Sequence, residues 1–189
     1  MASLDRENVD TDQIIPAHWL KRITRTGYAA GLFEAWRKDP SFVLNDPRYA
    51  GATVLVAGPN FGSGSSREHA AWALQESGFR AVISAKLADI FATNALKVGL
   101  LPVQLPADDV ARLMRAATSD PATEVTIDVE AGTVEASSAG VRAALALAPH
   151  ARQRLLAGLD DIAVTLRHGD EIAAYEARRP AWLPRVGLR

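Results

Sequence analysis

An α/β fold built on a partly parallel sheet is predicted by three features of the chain. Short branched apolar runs recur at Val54-Leu55-Val56, at residues 79–83 and at residues 100–105. Between them lie two stretches of helical spacing, each followed by a glycine, Gly78 and Gly99. The first run also feeds a glycine-rich turn, Gly58-Pro59-Asn60-Phe61-Gly62-Ser63-Gly64-Ser65-Ser66-Arg67-Glu68-His69-Ala70. Strands alternating with helices pair in parallel through right-handed crossovers, and that geometry sets a strand-to-helix turn at the carboxyl edge, where ligands bind.

Each element follows from its residues. Residues 51–57 read as a buried strand by length and branching. Ser65 and Glu68 are spaced as a capping box, so a helix is expected from Ser65 to Ser77, with Gly78 as a left-handed cap. A strand over 79–83 follows, then an amphipathic helix over 85–98 carrying Leu87, Ile90, Phe91, Ala95 and Val98, ended by Gly99. Residues 100–105 form the third strand. A helix over 108–117 precedes a hairpin of 124–129 and 133–136 around Glu130-Ala131-Gly132. The alanine-rich stretch 141–148 is a weak strand candidate. Pro149 opens a helix that Gly158 closes, and 159–177 reads as further helix interrupted near Gly169. Residues 178–189 lack periodicity and read as a flexible tail or a docking arm. One domain over 1–177 accounts for the rest, since a chain of 189 residues has room for a full core.

Composition narrows the function classes. A formal net charge of −1 offers no electrostatic footprint for nucleic acid. No run of eighteen apolar residues suggests a membrane span, and the acidic opening segment is unlike a signal peptide, so a cytoplasmic location is expected. With no cysteine, the chain has neither disulfides nor thiolates for an iron–sulfur cluster. Its four histidines, His18, His69, His150 and His168, show no metal-ligand spacing.

The glycine turn carries the chemistry. Gly62 and Gly64 allow backbone N–H groups to turn inward as a nest, and a helix start adds unpaired donors. Neither a Walker loop nor a dinucleotide fingerprint is present, because Arg67 stands where the latter needs its third glycine. A two-pronged guanidinium suits a carboxylate. The local pattern is equally compatible with a capped helix bearing a surface arginine.

A second segment joins it: Asn8-Val9-Asp10-Thr11-Asp12-Gln13-Ile14-Ile15-Pro16-Ala17-His18-Trp19-Leu20-Lys21-Arg22. Together with Gly62 to His69, Gly99-Leu100-Leu101-Pro102 and Leu159-Asp160-Asp161-Ile162, it resembles the 3-isopropylmalate dehydratase small subunits, the detached swivelling domain of the aconitase superfamily. The resemblance implies a β/β/α domain whose partly parallel or barrel-like core is flanked by helices. It implies an alkoxide of Ser65 as the base that removes a proton alpha to a carboxylate. Ser66 and Arg67, with the amides around Gly62 and Gly64, would bind substrate carboxylate, and Asp12 would pair with Arg67 or orient the serine. The segment from Trp19 to Arg25, including Lys21, would read the substrate's variable group. There Ile23 would suit an isopropyl group, and Arg22 turned inward would suit a carboxylate-bearing chain. Gly27 and Gly31 bracket this loop as candidate hinges. Asp10 reads as a turn or cap residue, and Trp19 and Trp36 as packing residues.

The resemblance further implies a large partner subunit that bears a four-iron cluster, with no cofactor bound by this chain, and a hydroxy dicarboxylic acid as substrate. Alternatives are a related hydro-lyase acting on homocitrate- or citraconate-type substrates, and a non-catalytic anion-binding module. Two departures from the family pattern stand out. The chain begins late, so the opening strand is expected to be shortened or missing and an edge unpaired, and residues 141–148 lack the usual aromatic and acidic pattern.

Overall fold

The computed structural model describes residues 1–180 together with 182 and 183. Its first compact unit, Met1–Gly158, is built on two open sheets. Strands β1 (Ala2–Leu4), β2 (Val54–Ala57), β3 (Ala81–Ser84) and β4 (Leu101–Gln104) lie side by side in chain order, all parallel. The opening strand is therefore present, short as it is. Ala2, Ser3 and Leu4 pair with Leu55, Val56 and Ala57, and all three are buried.

Both faces of the parallel sheet are covered, which is why β2 and β3 read as unbroken apolar runs. Leu55, Ala57 and Val82 face one core, shared with helices α2 (Glu68–Glu76) and α3 (Asp89–Lys97) and with the segment of short 3-10 turns between β1 and β2. Val54, Val56, Ala81, Ile83, Leu101 and Val103 face the other. That side is closed by α4 (Ala107–Ser119), through Val110 and Leu113, and by an antiparallel sheet of β5 (Thr126–Asp128), β6 (Thr133–Ala136) and β7 (Val141–Ala144). The weak strand candidate thus becomes β7, held by its pairing with β6 despite its alanines.

Helix α5 (Pro149–Ala157) opens at Pro149 and ends at Gly158, which is left-handed with φ 61°. The second unit, Leu159–Arg189, contains α6 (Asp161–Leu166), capped by the Asp160 carboxylate on the Ala163 amide at 2.7 Å, and α7 (Gly169–Arg178). The two compact units meet in the chain between Gly158 and Leu159. Of the segment 178–189, residues 181 and 184–189 lie outside the described residues.

One helix start differs from expectation. Helix α2 begins at Glu68 with Arg67 as N-cap in an extended conformation, and no side chain caps it. The Ser65–Glu68 capping box does not form; Glu68 turns instead toward Lys97 of α3, 3.7 Å away. A true capping box occurs at α1 (Thr11–Ile14), where the Gln13 amide donates to the Asp10 carboxylate at 2.7 Å and the Asp10 amide donates to Gln13 Oε1 at 2.9 Å. Helix α3 is also shorter than the periodicity predicts. Residues 85–88 stay outside it because the Phe61 amide donates to the Lys86 carbonyl at 3.2 Å and the Ala88 amide to the Phe61 carbonyl at 2.9 Å, tying this stretch to the glycine turn.

Beneath that turn the packing leaves no freedom. Gly62 has φ +78°, and a Cβ there would lie 2.3 Å from Cγ of the buried Phe91 ring, which itself meets Phe61 edge-on at 5.2 Å. Gly62→Ala is therefore expected to destabilise by about 2–4 kcal/mol, combining left-handed strain with overpacking, as a lowered midpoint in urea unfolding.

His69, on the first turn of α2, packs against Trp72 at 4.6 Å and Tyr28 at 5.2 Å. Burial holds its imidazole below the usual 6.5, opposed by Glu68 and assisted by Arg67. Folding thus favours the neutral ring, so its contribution is present above the unfolded value and lost as pH falls through 6.5. In an NMR titration His69 should protonate below 6.5. The acid-side fall in melting temperature should be shallower in His69→Gln than in the unchanged protein.

Candidate active site

Two segments distant in sequence build the site by lying side by side. Asp10 bridges to Ser63 in a parallel sense, and the Thr11 amide donates to the Ser63 carbonyl at 2.9 Å. The Thr11 hydroxyl donates to the Ser65 carbonyl at 2.9 Å and stands 3.3 Å from the Ser65 hydroxyl. Asp12 then takes the Arg67 guanidinium in an ion pair. Residues 10, 11 and 12 thereby engage 63, 65 and 67, which holds 65–67 out of the helix, with Arg67 extended, so that α2 starts after them.

A cleft of about 200 Å³ opens beside this seam, lined by Thr11, Gly62, Gly64, Ser65, Arg67 and the 88–91 stretch at the start of α3. Ser65 is exposed to it, and the Arg67 side chain retains 15% of its accessible surface. Gly64, with φ +84°, turns the chain so that Ser65 reaches the rim. Among the described residues, the amides of Ser65, Ser66 and Arg67 have no acceptor. Of the five N–H donors of Arg67, one meets Asp12. A small anion in the cleft would thus lie beside Ser65 and Arg67, whose amides are free, and beside a guanidinium that Asp12 holds, as an anion site requires. Asp12 itself is half exposed and faces Arg67 rather than the serine.

Other residues named from the sequence fall elsewhere. Ser66 is exposed and does not line the cleft. Lys21, Arg22 and Ile23 stand on the neighbouring loop. Arg22 folds back onto it, donating to the Gly27 carbonyl at 2.7 Å and lying 4.7 Å over the Trp19 ring, while Ile23 at the tip is fully exposed. The base of this loop is tied to α2. The Glu76 carboxylate accepts from the amides of Tyr28, at 2.6 Å, and Ala29, at 3.2 Å. At its other end Trp19 Nε1 donates to Glu34 at 2.5 Å. Gly31, the candidate hinge at the end of the loop, is buried, and its missing Cβ is the space that the Trp19 ring occupies. Asp10 is the N-cap of α1, and Trp36 stacks on Phe33 at 5.2 Å.

The chain pattern passed over Thr11 and Ile90. Thr11, buried at 2% exposure, lies between the two aspartates that drew notice, and only its hydroxyl contact with Ser65 distinguishes it from a helix-start residue. Ile90 reads as a core position by periodicity, yet it is 52% exposed on the cleft wall. No group of three or more His, Asp or Glu side chains that could hold a metal ion occurs among the described residues.

Residues 1–108 match the family model described as the aconitase C-terminal domain, and residues 161–186 match that of the C-terminal domain of the 3-isopropylmalate dehydratase small subunit. The chain is 60% identical over 181 residues to a protein of Parafrankia sp. strain EAN1pec named 3-isopropylmalate dehydratase small subunit, with 96% of this chain and 92% of that one covered. It is 61% identical to the protein of that name from Acidothermus cellulolyticus, over 96% of this chain and 91% of that one. A solved structure of 3-isopropylmalate dehydratase from Methanocaldococcus jannaschii superposes with a TM-score of 0.64 at 27% identity, covering 93% of this chain and 96% of that one. The paired segments 8–12 and 62–67, the two-sided parallel sheet and these likenesses agree: the chain belongs to the family of 3-isopropylmalate dehydratase small subunits.

Proposed function

We propose that this chain is the small subunit of a hydro-lyase that interconverts 2-isopropylmalate and 3-isopropylmalate in leucine biosynthesis, with Ser65 as the base. The observation that carries the reading is the joint placement of Ser65 and Arg67 on one cleft, in a member of this family. The Arg67 guanidinium and the free amides of Ser65 and Arg67 would hold a substrate carboxylate, which sets the adjacent C–H before Ser65 Oγ. Asp12 keeps the guanidinium from turning away.

Making the serine basic is the costly step. Each unit of pKa depression requires about 1.4 kcal/mol of preferential alkoxide stabilisation. Ser65 lies two residues ahead of the N-cap of α2, so it receives less than the roughly 2 kcal/mol available inside a helix's first turn. Amides and Arg67 must supply most of the rest, at about 3 kcal/mol per well-placed donor in a dry site. The open cleft is not dry by itself, and closure by a large partner subunit belongs to the proposal.

The hydroxyl that leaves needs a Lewis acid, and a four-iron cluster on the partner would supply it. This chain cannot hold such a cluster through thiolates, having no cysteine. A cytoplasmic setting is part of the same reading, because cluster thiolates stay reduced there. The fully exposed Ile23 and the folded-back Arg22 favour an alkyl group over a third carboxylate as the variable substituent. Homocitrate- or citraconate-type substrates would be the second reading.

With the reconstituted two-subunit enzyme, Ser65→Ala is expected to lower turnover of 2-isopropylmalate by at least about 10²-fold, the smaller end of a positioned general base's contribution. Unchanged turnover would remove Ser65 as the base, and no turnover by the unchanged chain with any cluster-bearing partner would indicate a non-catalytic anion-binding module. Assays across several 2-alkylmalates should rank the isopropyl compound first, and a preference for a tricarboxylate would favour the second reading.

A further inference from the structure

We infer that Thr11 is a positioning residue for Ser65: its buried hydroxyl fixes both the backbone and the hydroxyl hydrogen of the serine. The inference rests on the reading of Ser65 as the base. A threonine hydroxyl has one hydrogen to give. That of Thr11 is engaged by the Ser65 carbonyl at 2.9 Å, so toward Ser65 Oγ, 3.3 Å away, Thr11 Oγ1 acts as acceptor. While Ser65 is protonated its hydrogen thus points at Thr11, along the seam; in the alkoxide, which has no hydrogen to give, the Thr11 hydroxyl is the donor within reach of Oγ and turns its hydrogen from the carbonyl toward the anion, at the cleft that both residues line. A free serine rotor would sample three staggered positions. Thr11 selects one.

Thr11 is itself held on every side. It is 2% exposed, its amide donates to the Ser63 carbonyl, and it is the first residue of α1, whose N-cap Asp10 is locked by a capping box. A β-branched side chain at this spot has little rotamer freedom, so its oxygen is a rigid reference point. Asp12, next in the chain, does the same for Arg67. The base and the carboxylate-binding cation are thus indexed to adjacent residues of one short helix, and their separation across the cleft does not depend on the exposed turn that carries them.

The test compares Thr11→Val, which keeps the branched shape without the hydroxyl, with Thr11→Ser, which keeps the hydroxyl, and with Ser65→Ala, all in the reconstituted two-subunit enzyme. Thr11→Val is expected to lower kcat by about 10- to 100-fold with KM within about threefold, and Thr11→Ser to recover kcat to within about threefold of the unchanged protein, the range that a misplaced reacting group accounts for. If Thr11→Val fails to fold, Thr11→Ala takes its place in the comparison. Full turnover in Thr11→Val with Ser65→Ala inactive overturns the role of Thr11 and leaves that of Ser65. Equal losses in Thr11→Val and Thr11→Ser overturn it as well, since the hydroxyl would then not be what matters. Full turnover in Ser65→Ala overturns both.

Discussion

The site depends on one seam, in which residues 10–12 engage residues 63, 65 and 67 of the glycine turn. Each contact is modest by itself, since a hydrogen bond contributes on the order of 1 kcal/mol net and an exposed ion pair less. Their value lies in registration. The bridge between Asp10 and Ser63, the Thr11 hydroxyl on Ser65 and the pairing of Asp12 with Arg67 set alternate residues of an otherwise exposed loop against a short, capped helix. Without that seam, Ser65 would be free to join the helix that its own sequence favours.

The rest of the fold holds the seam from below. The carboxyl ends of β1 and β2 deliver the two segments side by side, since Leu4 pairs with Ala57 at the point where both strands end. Phe91 fills the space that the side-chain-free Gly62 leaves, and Ser84, fully buried at the end of β3, donates to the Gly58 carbonyl at 2.8 Å. The turn is therefore pinned to three parallel strands and to α3, while its upper surface carries unpaired amides. Such an arrangement favours an anion because the donors are already oriented and lose little freedom on binding.

Much of the architecture was legible in the chain. Val54-Leu55-Val56 and the greater part of the runs over 79–83 and 100–105 form buried strands, and a sheet covered on both faces leaves no polar alternation to confuse them. Gly158 closes α5 as a left-handed residue, for which glycine is the cheapest choice. Misreadings occurred where a distant segment outweighed a local preference. Ser65 and Glu68 have the spacing of a capping box, but the pull of residues 10–12 on 65–67 starts the helix later. Helix α3 likewise starts late, because residues 86 and 88 are tied to Phe61 of the glycine turn.

By itself the sequence determined the strands and most of the helix ends, because apolar periodicity and the conformational preferences of glycine are local properties, while Ser65, Arg67 and Asp12 were singled out by the resemblance of their segments to a family. Only the tertiary structure decided which donor serves which acceptor. It placed Thr11 beneath Ser65, assigned Asp12 to Arg67 rather than to the serine, and turned Arg22 back onto its own loop. The first two outcomes hang on contacts between residues more than fifty positions apart, Thr11 with Ser65 at a separation of 54 and Asp12 with Arg67 at 55. No local pattern encodes a partner that far along the chain; the register of β1 on β2 does.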